Sequence, residues 1–425
     1  MTGKMILGLL ALAPFLSDAA EVSVADVTLV QSAEGREVEI AYTLQGASAI
    51  VTVGIESQKA NGEYVAIASR YLQAMAGDVN RLVSPGARKV KWPVTADCAA
   101  GTTNRFRAVV RLWSVDDPPD YAAIDLVGSS NVAYFATAEE VSGGVSDERY
   151  KTSMILMRRI PAAAAGAWTM GSPSDEAYRV AEYEAQHQVT LSTDYYMAVY
   201  PCTQRQYWYI AHGSVGGSYS SLKNAERPDL HPVAGVTYND VRGSDWPAGK
   251  HATVAANSVL DRLRKLTGVQ FDLPTEAQWE FACRAGSVSQ VYGGRSFSSG
   301  GESLTVVPCV DEVGWYRANT GCDTGWGDPD FTMPVGRKIP NDWGLYDMLG
   351  NVQEWCLDWF AESLSDATNP EGATSGTERV MRGGGHYSYA KNLRCANRQS
   401  KIPGSGGNMY AVGFRVVAPI GGDLQ

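Results

Sequence analysis

The chain has 425 residues, 44% of them hydrophobic and 19% charged, and a formal net charge of −10. That length is too great for one ordinary core and predicts two or three domains. Its 36 Lys and Arg residues are scattered without a basic block, so the electrostatics argue against nucleic acid as a partner.

The first element is an export signal. Lys4 supplies a positive start, Met5 to Leu16 is an apolar run too short to span a bilayer, and Ser17-Asp18-Ala19 sets small residues before a cut at Ala20. Residues 1–19 are therefore expected to be a signal peptide, and the protein to be secreted or held in the cell envelope. With no second long apolar stretch, no membrane span is expected.

Residues 22–140 read as all-β. Val38, Ile40, Tyr42 and Leu44 alternate with polar or small residues, as do Val51, Val53 and Ile55, and later Phe106, Ala108, Val110 and Leu112. Period two buries one face of a strand and solvates the other. Turn residues such as Gly77-Asp78-Val79-Asn80 and Pro85-Gly86 separate the runs. Short strands of this kind predict an immunoglobulin-like sandwich that acts as a spacer or adhesion module. Residues 141–152, opening with the small and polar run Val141–Asp147, read as a linker.

From 153 to 420 the character changes to glycines, tryptophans and long loops with few helices, so the whole chain is classed α+β. One helix is expected over Ala255–Leu266, with Val259, Leu263 and Leu266 on one face and Gly268 as its stop. A second starts at Thr275, which forms a capping box with Gln278 and turns Trp279, Ala282 and Cys283 inward.

Several stretches of this half then occur in a familiar order. They are Trp168-Thr169-Met170-Gly171-Ser172, Glu184 to Leu191, His231-Pro232-Val233, Leu273 to Glu280, Pro334-Val335-Gly336, Trp343 to Trp355, Arg379 to Gly385, and Gly413-Phe414-Arg415. Together they resemble the formylglycine-generating enzyme, or sulfatase-modifying factor, family. The resemblance implies a C-type-lectin-like fold. It also implies a structural calcium ion on Asp347, Gly350, Val352 and Glu354. Two carboxylates with two carbonyls suit a hard cation. Asn319, Asp323 and Asp328 are weaker matches to a second family calcium site. Cys283 and Cys395 match a family disulfide, whose long loop would stabilise by ~4–5 kcal/mol.

The family's catalytic part does not carry over. Its enzyme holds copper on two cysteines between the Arg-Gly-Gly motif and the second disulfide cysteine. Here that stretch, His386 to Arg394, contains no cysteine and is shortened, with Ser388 near the place of the first ligand. A hydroxyl is a poor ligand for Cu(I), so copper is not expected. Iron-dependent relatives need clustered histidines. His187, His212, His231, His251 and His386 are far apart in sequence, and only a non-local cluster could serve.

Binding is the remaining reading. The segment from His386 to Ala411 is rich in Tyr, Ser, Asn and Gly, a palette shared with antibody loops. His386, Tyr387, Ser388, Tyr389, Asn392, Asn408 and Tyr410 are the expected contacts to a protein, peptide or glycan, in a loop open to diversification. The alternative is an oxidoreductase of the same family, formylglycine-generating or of the non-heme iron type, with an unrecognised metal site.

Overall fold

The computed structural model describes residues 22–32, 37–67, 75–94, 105–127, 132–212, 227–243, 253–322, 331–404 and 411–421. The expected signal peptide, Cys98, His251, Asp323, Asp328, Asn408 and Tyr410 lie outside these residues. The chain divides into two compact units, with a change of unit between Asp147 and Glu148. A short segment starting at Ile124 belongs with the second unit.

The first unit contains β1 (Ser23–Gln31), β2 (Val38–Gln45), β3 (Ala49–Gln58), β4 (Tyr64–Ala66), β5 (Ala76–Gly77), β6 (Arg81–Val83), β7 (Gly86–Trp92) and β8 (Phe106–Trp113). One antiparallel sheet runs in the order β1-β2-β7-β5, and the other pairs β3 with β4, β6 and β8. In β2 the alternation is realised: Val38, Ile40, Tyr42 and Leu44 are buried and the residues between them are half-buried. In β3 every residue from Ala49 to Ile55 is buried, because β3 is flanked by strands on both sides. Side chains of both sheets share one core, in which Trp92 meets Phe106 edge to face at 5.4 Å. The unit is thus a two-sheet β structure.

Next along the chain come β9 (Tyr121–Asp125) and β10 (Val132–Phe135). The second unit then holds β11 (Met154–Ile160), β12 (Ala167–Met170), β13 (His187–Thr190), β14 (Tyr195–Ala198), β15 (Gln353–Trp359), β16 (Ala367–Thr368), β17 (Arg379–Arg382), β18 (Gln399–Lys401), β19 (Val412–Gly413) and β20 (Val417–Pro419). Within it β14 lies between β11 and β20, β12-β13-β16 form a small sheet, and β18-β17-β15-β19 form the sheet that carries the candidate site. Tyr150 and Lys151, expected in the linker, are already buried here: their carbonyls accept hydrogen bonds from Gln206 and Thr203.

Three helices of nine residues stand out, at Gln204–His212, Val259–Thr267 and Glu276–Arg284. The second begins at Val259 rather than Ala255, because the Ser258 hydroxyl accepts the Asp261 amide and so caps it there. The third has the expected capping box, with the Thr275 hydroxyl accepting the Gln278 amide and the Gln278 side chain accepting the Thr275 amide. Its inward side chains Trp279, Ala282 and Cys283 sit in the main core. Among the described residues, no helix is long and apolar enough to cross a membrane.

Candidate functional site

The site is built where β15 and β17 lead into loops. The turn before β15 is tight: Gly350 has φ +86°, and a Cβ there would lie 2.4 Å from the Trp315 carbonyl oxygen. Next to it Asn351 also has positive φ, and its side chain accepts the Met333 amide at 3.0 Å and donates to the Met333 carbonyl at 2.9 Å. The Asn351 carbonyl then accepts both the His386 amide at 2.9 Å and His386 Nδ1 at 3.0 Å. A carbonyl only accepts, so that ring nitrogen carries its proton.

This changes the expected roles of the contact residues. His386 and Ser388 are buried and hydrogen-bonded within the protein. The Ser388 hydroxyl accepts the Gly385 amide at 3.0 Å, and its carbonyl accepts the Arg317 amide at 3.0 Å. Tyr387, Tyr389 and Asn392 are half-buried. The Tyr387 hydroxyl donates to Gln353 Oε1 at 2.7 Å, while burial raises its pKa. The Gln353 amide donates in turn to Gln399, and Gln399 to Asn397 at 3.3 Å. Arg317 donates to the Tyr389 hydroxyl at 3.0 Å, with its guanidinium 5.1 Å from the ring centre. The side chains brought together are therefore neutral amides and tyrosines with one arginine.

Sequence reading missed the ionic frame behind this face. Glu276 takes Arg398 in two bonds of 2.6 and 2.8 Å. Arg382 pairs with Glu280, which also takes Arg284. Arg394 makes two bonds of 2.7 Å to Glu184 and one to Glu176. All these side chains are at most 7% exposed. Paired guanidinium and carboxylate forks are the form in which buried charge is tolerated. Apart from Glu280–Arg284, the pairs join residues up to 218 apart, so no local pattern announces them.

Of the four residues matched to calcium, the carboxylates of Glu354 and Asp347 both have hydrogen-bond partners within the protein. Glu354 Oε1 accepts Arg415 Nη2 at 2.9 Å and Nε at 3.1 Å, while Oε2 accepts Nε at 3.1 Å and Trp279 Nε1 at 2.7 Å. Glu354 thus takes hydrogens from Arg415 Nε, Arg415 Nη2 and Trp279 Nε1. Asp347 is buried, accepts the Gly336 amide at 2.6 Å and has a longer contact of 3.5 Å to Asn351. Burial raises its pKa. At the weaker match, the Asn319 amide is spent on Tyr316, Asp311 and Gly314.

Cys283 and Cys395 do meet: both are fully buried, with their sulfurs in thiol contact at 3.7 Å. Burial pushes the Cys283 thiol up. His187 bonds the Ala185 carbonyl, His212 the Trp208 carbonyl and His231 the Thr332 hydroxyl. Among the described residues, no group of three or more His, Cys, Asp or Glu side chains is placed to hold a metal ion.

Comparison with known proteins finds one family over the second unit. A family model described as the sulfatase-modifying factor enzyme 1-like domain matches residues 150–420. The formylglycine-generating enzyme of Mus musculus is 28% identical over 320 residues, covering 68% of this chain and 82% of that protein. That of Streptomyces coelicolor is 32% identical over 221 residues, 49% of this chain and 60% of its own length. The chaperone protein LppX of Paenibacillus barcinonensis is 31% identical over 224 residues, 47% of this chain and 71% of that one. Among solved structures, PvdO from Pseudomonas aeruginosa aligns with a TM-score of 0.46 at 24% identity, covering 62% of this chain and 94% of that chain.

Proposed function

The chain belongs to the sulfatase-modifying factor family, and on that premise we propose that it uses the family scaffold to bind a ligand and not to oxidise a cysteine. One observation carries this reading. The segment between Gly385 and Cys395, where the family's enzyme keeps its copper thiolates, has no cysteine, and its Ser388 hydroxyl is engaged by the Gly385 amide. Thiolates are the ligands Cu(I) prefers, and nothing in this segment replaces them.

The ligand is a protein, peptide or glycan. Support comes from Tyr387 and Tyr389, whose hydroxyls are already oriented by Gln353 and Arg317, and from Asn392, half-buried like both tyrosines. Tyrosine offers contact area at low entropic cost, and preorganisation lowers the cost of binding further. Asn408 and Tyr410 extend the same palette in sequence. A relative that bears the name of a chaperone is consistent with roles for this scaffold outside oxidation. The apolar run Met5–Leu16 supports export, and the first unit then serves as an immunoglobulin-like spacer.

The test is to probe glycan and peptide arrays with the full chain, then with Tyr389→Ala and Tyr387→Phe. Tyr389→Ala is expected to weaken binding roughly tenfold or more, as for an aromatic anchor at an interface centre. Binding that both variants leave unchanged would contradict the assignment of this face.

A further inference from the structure

We infer, on the reading just proposed, that the ligand is a neutral glycan whose hydroxyls meet a one-way chain of side chains running Tyr387–Gln353–Gln399–Asn397. The chain crosses from the loop after β17, over the start of β15, to the start of β18. Tyr387 gives its hydrogen to Gln353 Oε1 at 2.7 Å, Gln353 Nε2 donates to Gln399 Oε1, and Gln399 Nε2 donates to Asn397 Oδ1 at 3.3 Å.

A side-chain amide has an accepting end and a donating end. Amides joined in a row therefore leave the two termini of the chain with opposite needs. Here the Tyr387 oxygen keeps its lone pairs for an incoming donor. Asn397 Nδ2 keeps its hydrogens, which have no acceptor among the described residues. Turning every amide over would exchange the two roles and leave them complementary. Gln353 and Asn397 are buried, and buried amide hydrogens in native proteins are bonded by protein, water or a ligand. Tyr389 has the polarity opposite to Tyr387. Its oxygen accepts Arg317 Nη1, and its own hydrogen has no partner among the described residues.

A hydroxyl answers both needs, because it donates and accepts at one atom and rotates to suit. A peptide main chain offers its N–H and C=O on separate atoms at fixed spacing. Charged groups find less to meet. Arg317 spends Nη1 on Tyr389 and Nε on the Cys322 carbonyl at 3.2 Å. Lys391 is paired with Glu302 at 2.6 Å, and burial lowers the pKa of Lys401, two residues along from Gln399.

The experiment presents neutral, sialylated and sulfated oligosaccharides and peptides on one array to the full chain, to Gln399→Leu and to Tyr387→Phe. Thermal unfolding checks that each variant is folded, and Tyr387→Phe, which keeps the ring, serves if Gln399→Leu does not fold. The wild type is expected to bind neutral oligosaccharides in preference to the other classes. Each variant is expected to weaken that binding about tenfold, as for a lost hydrogen bond with its partner left unpaired. Binding of peptides or acidic oligosaccharides alone, lost in Tyr389→Ala, would keep the binding face and overturn the inference. Neutral binding that Tyr387→Phe and Gln399→Leu leave unchanged would overturn it too. Binding of no class would overturn the binding reading itself, and the inference with it.

Discussion

Asp358 is the residue whose environment makes the most specific demand. It is fully buried in β15, and its side chain accepts the Glu276 amide at 2.7 Å. Burial first, and the Glu276 carboxylate second, push its carboxyl from 3.8 up to about 8. The folded chain thus holds a proton that the unfolded chain releases. The stabilising contribution is fully present below 3.8 and is lost as pH rises through about 8. An asparagine can accept the same amide without ionising. Urea unfolding at a series of pH values should therefore show Asp358→Asn gaining on the wild type by ~1 kcal/mol per pH unit across the window. A difference that does not change with pH would contradict this account of Asp358.

At the scale of elements, the helix Glu276–Arg284 is the hub. Its capping box fixes its start, and its inner face places Cys283 against Cys395. If the chain matures in an oxidising compartment, these two cysteines are expected to be linked. Peptide mapping of unreduced protein should recover a peptide joining 283 to 395. Reduction should cost about 4–5 kcal/mol. Two freely alkylated thiols in exported protein would rule the link out.

The helix and the strands of the first unit were legible in the sequence because their signals are local. Alternation in β2 and Thr275 followed by Gln278 need only neighbours in the chain. The family motifs were legible for a related reason, since each is a contiguous run of scaffold residues. The ionic frame was not, because the Arg394–Glu184 and Arg415–Glu354 pairs join distant segments. Composition likewise marked His386 to Asn392 as recognition residues without showing which of them the turn at Asn351 would bury.

For the whole molecule, two units with separate cores suggest a division of labour: a two-sheet β unit, and a family domain that carries the site. Membership of the family explains the scaffold, while the proposed function sets this chain apart from the family's oxidation chemistry. The two statements make opposite claims about one reaction. The most direct measurement supplies the purified chain with Cu(I), oxygen and cysteine-containing peptides, with a formylglycine-generating enzyme as positive control. It follows oxygen consumption and aldehyde formation. The account predicts neither above background; catalytic turnover with stoichiometric copper would contradict it.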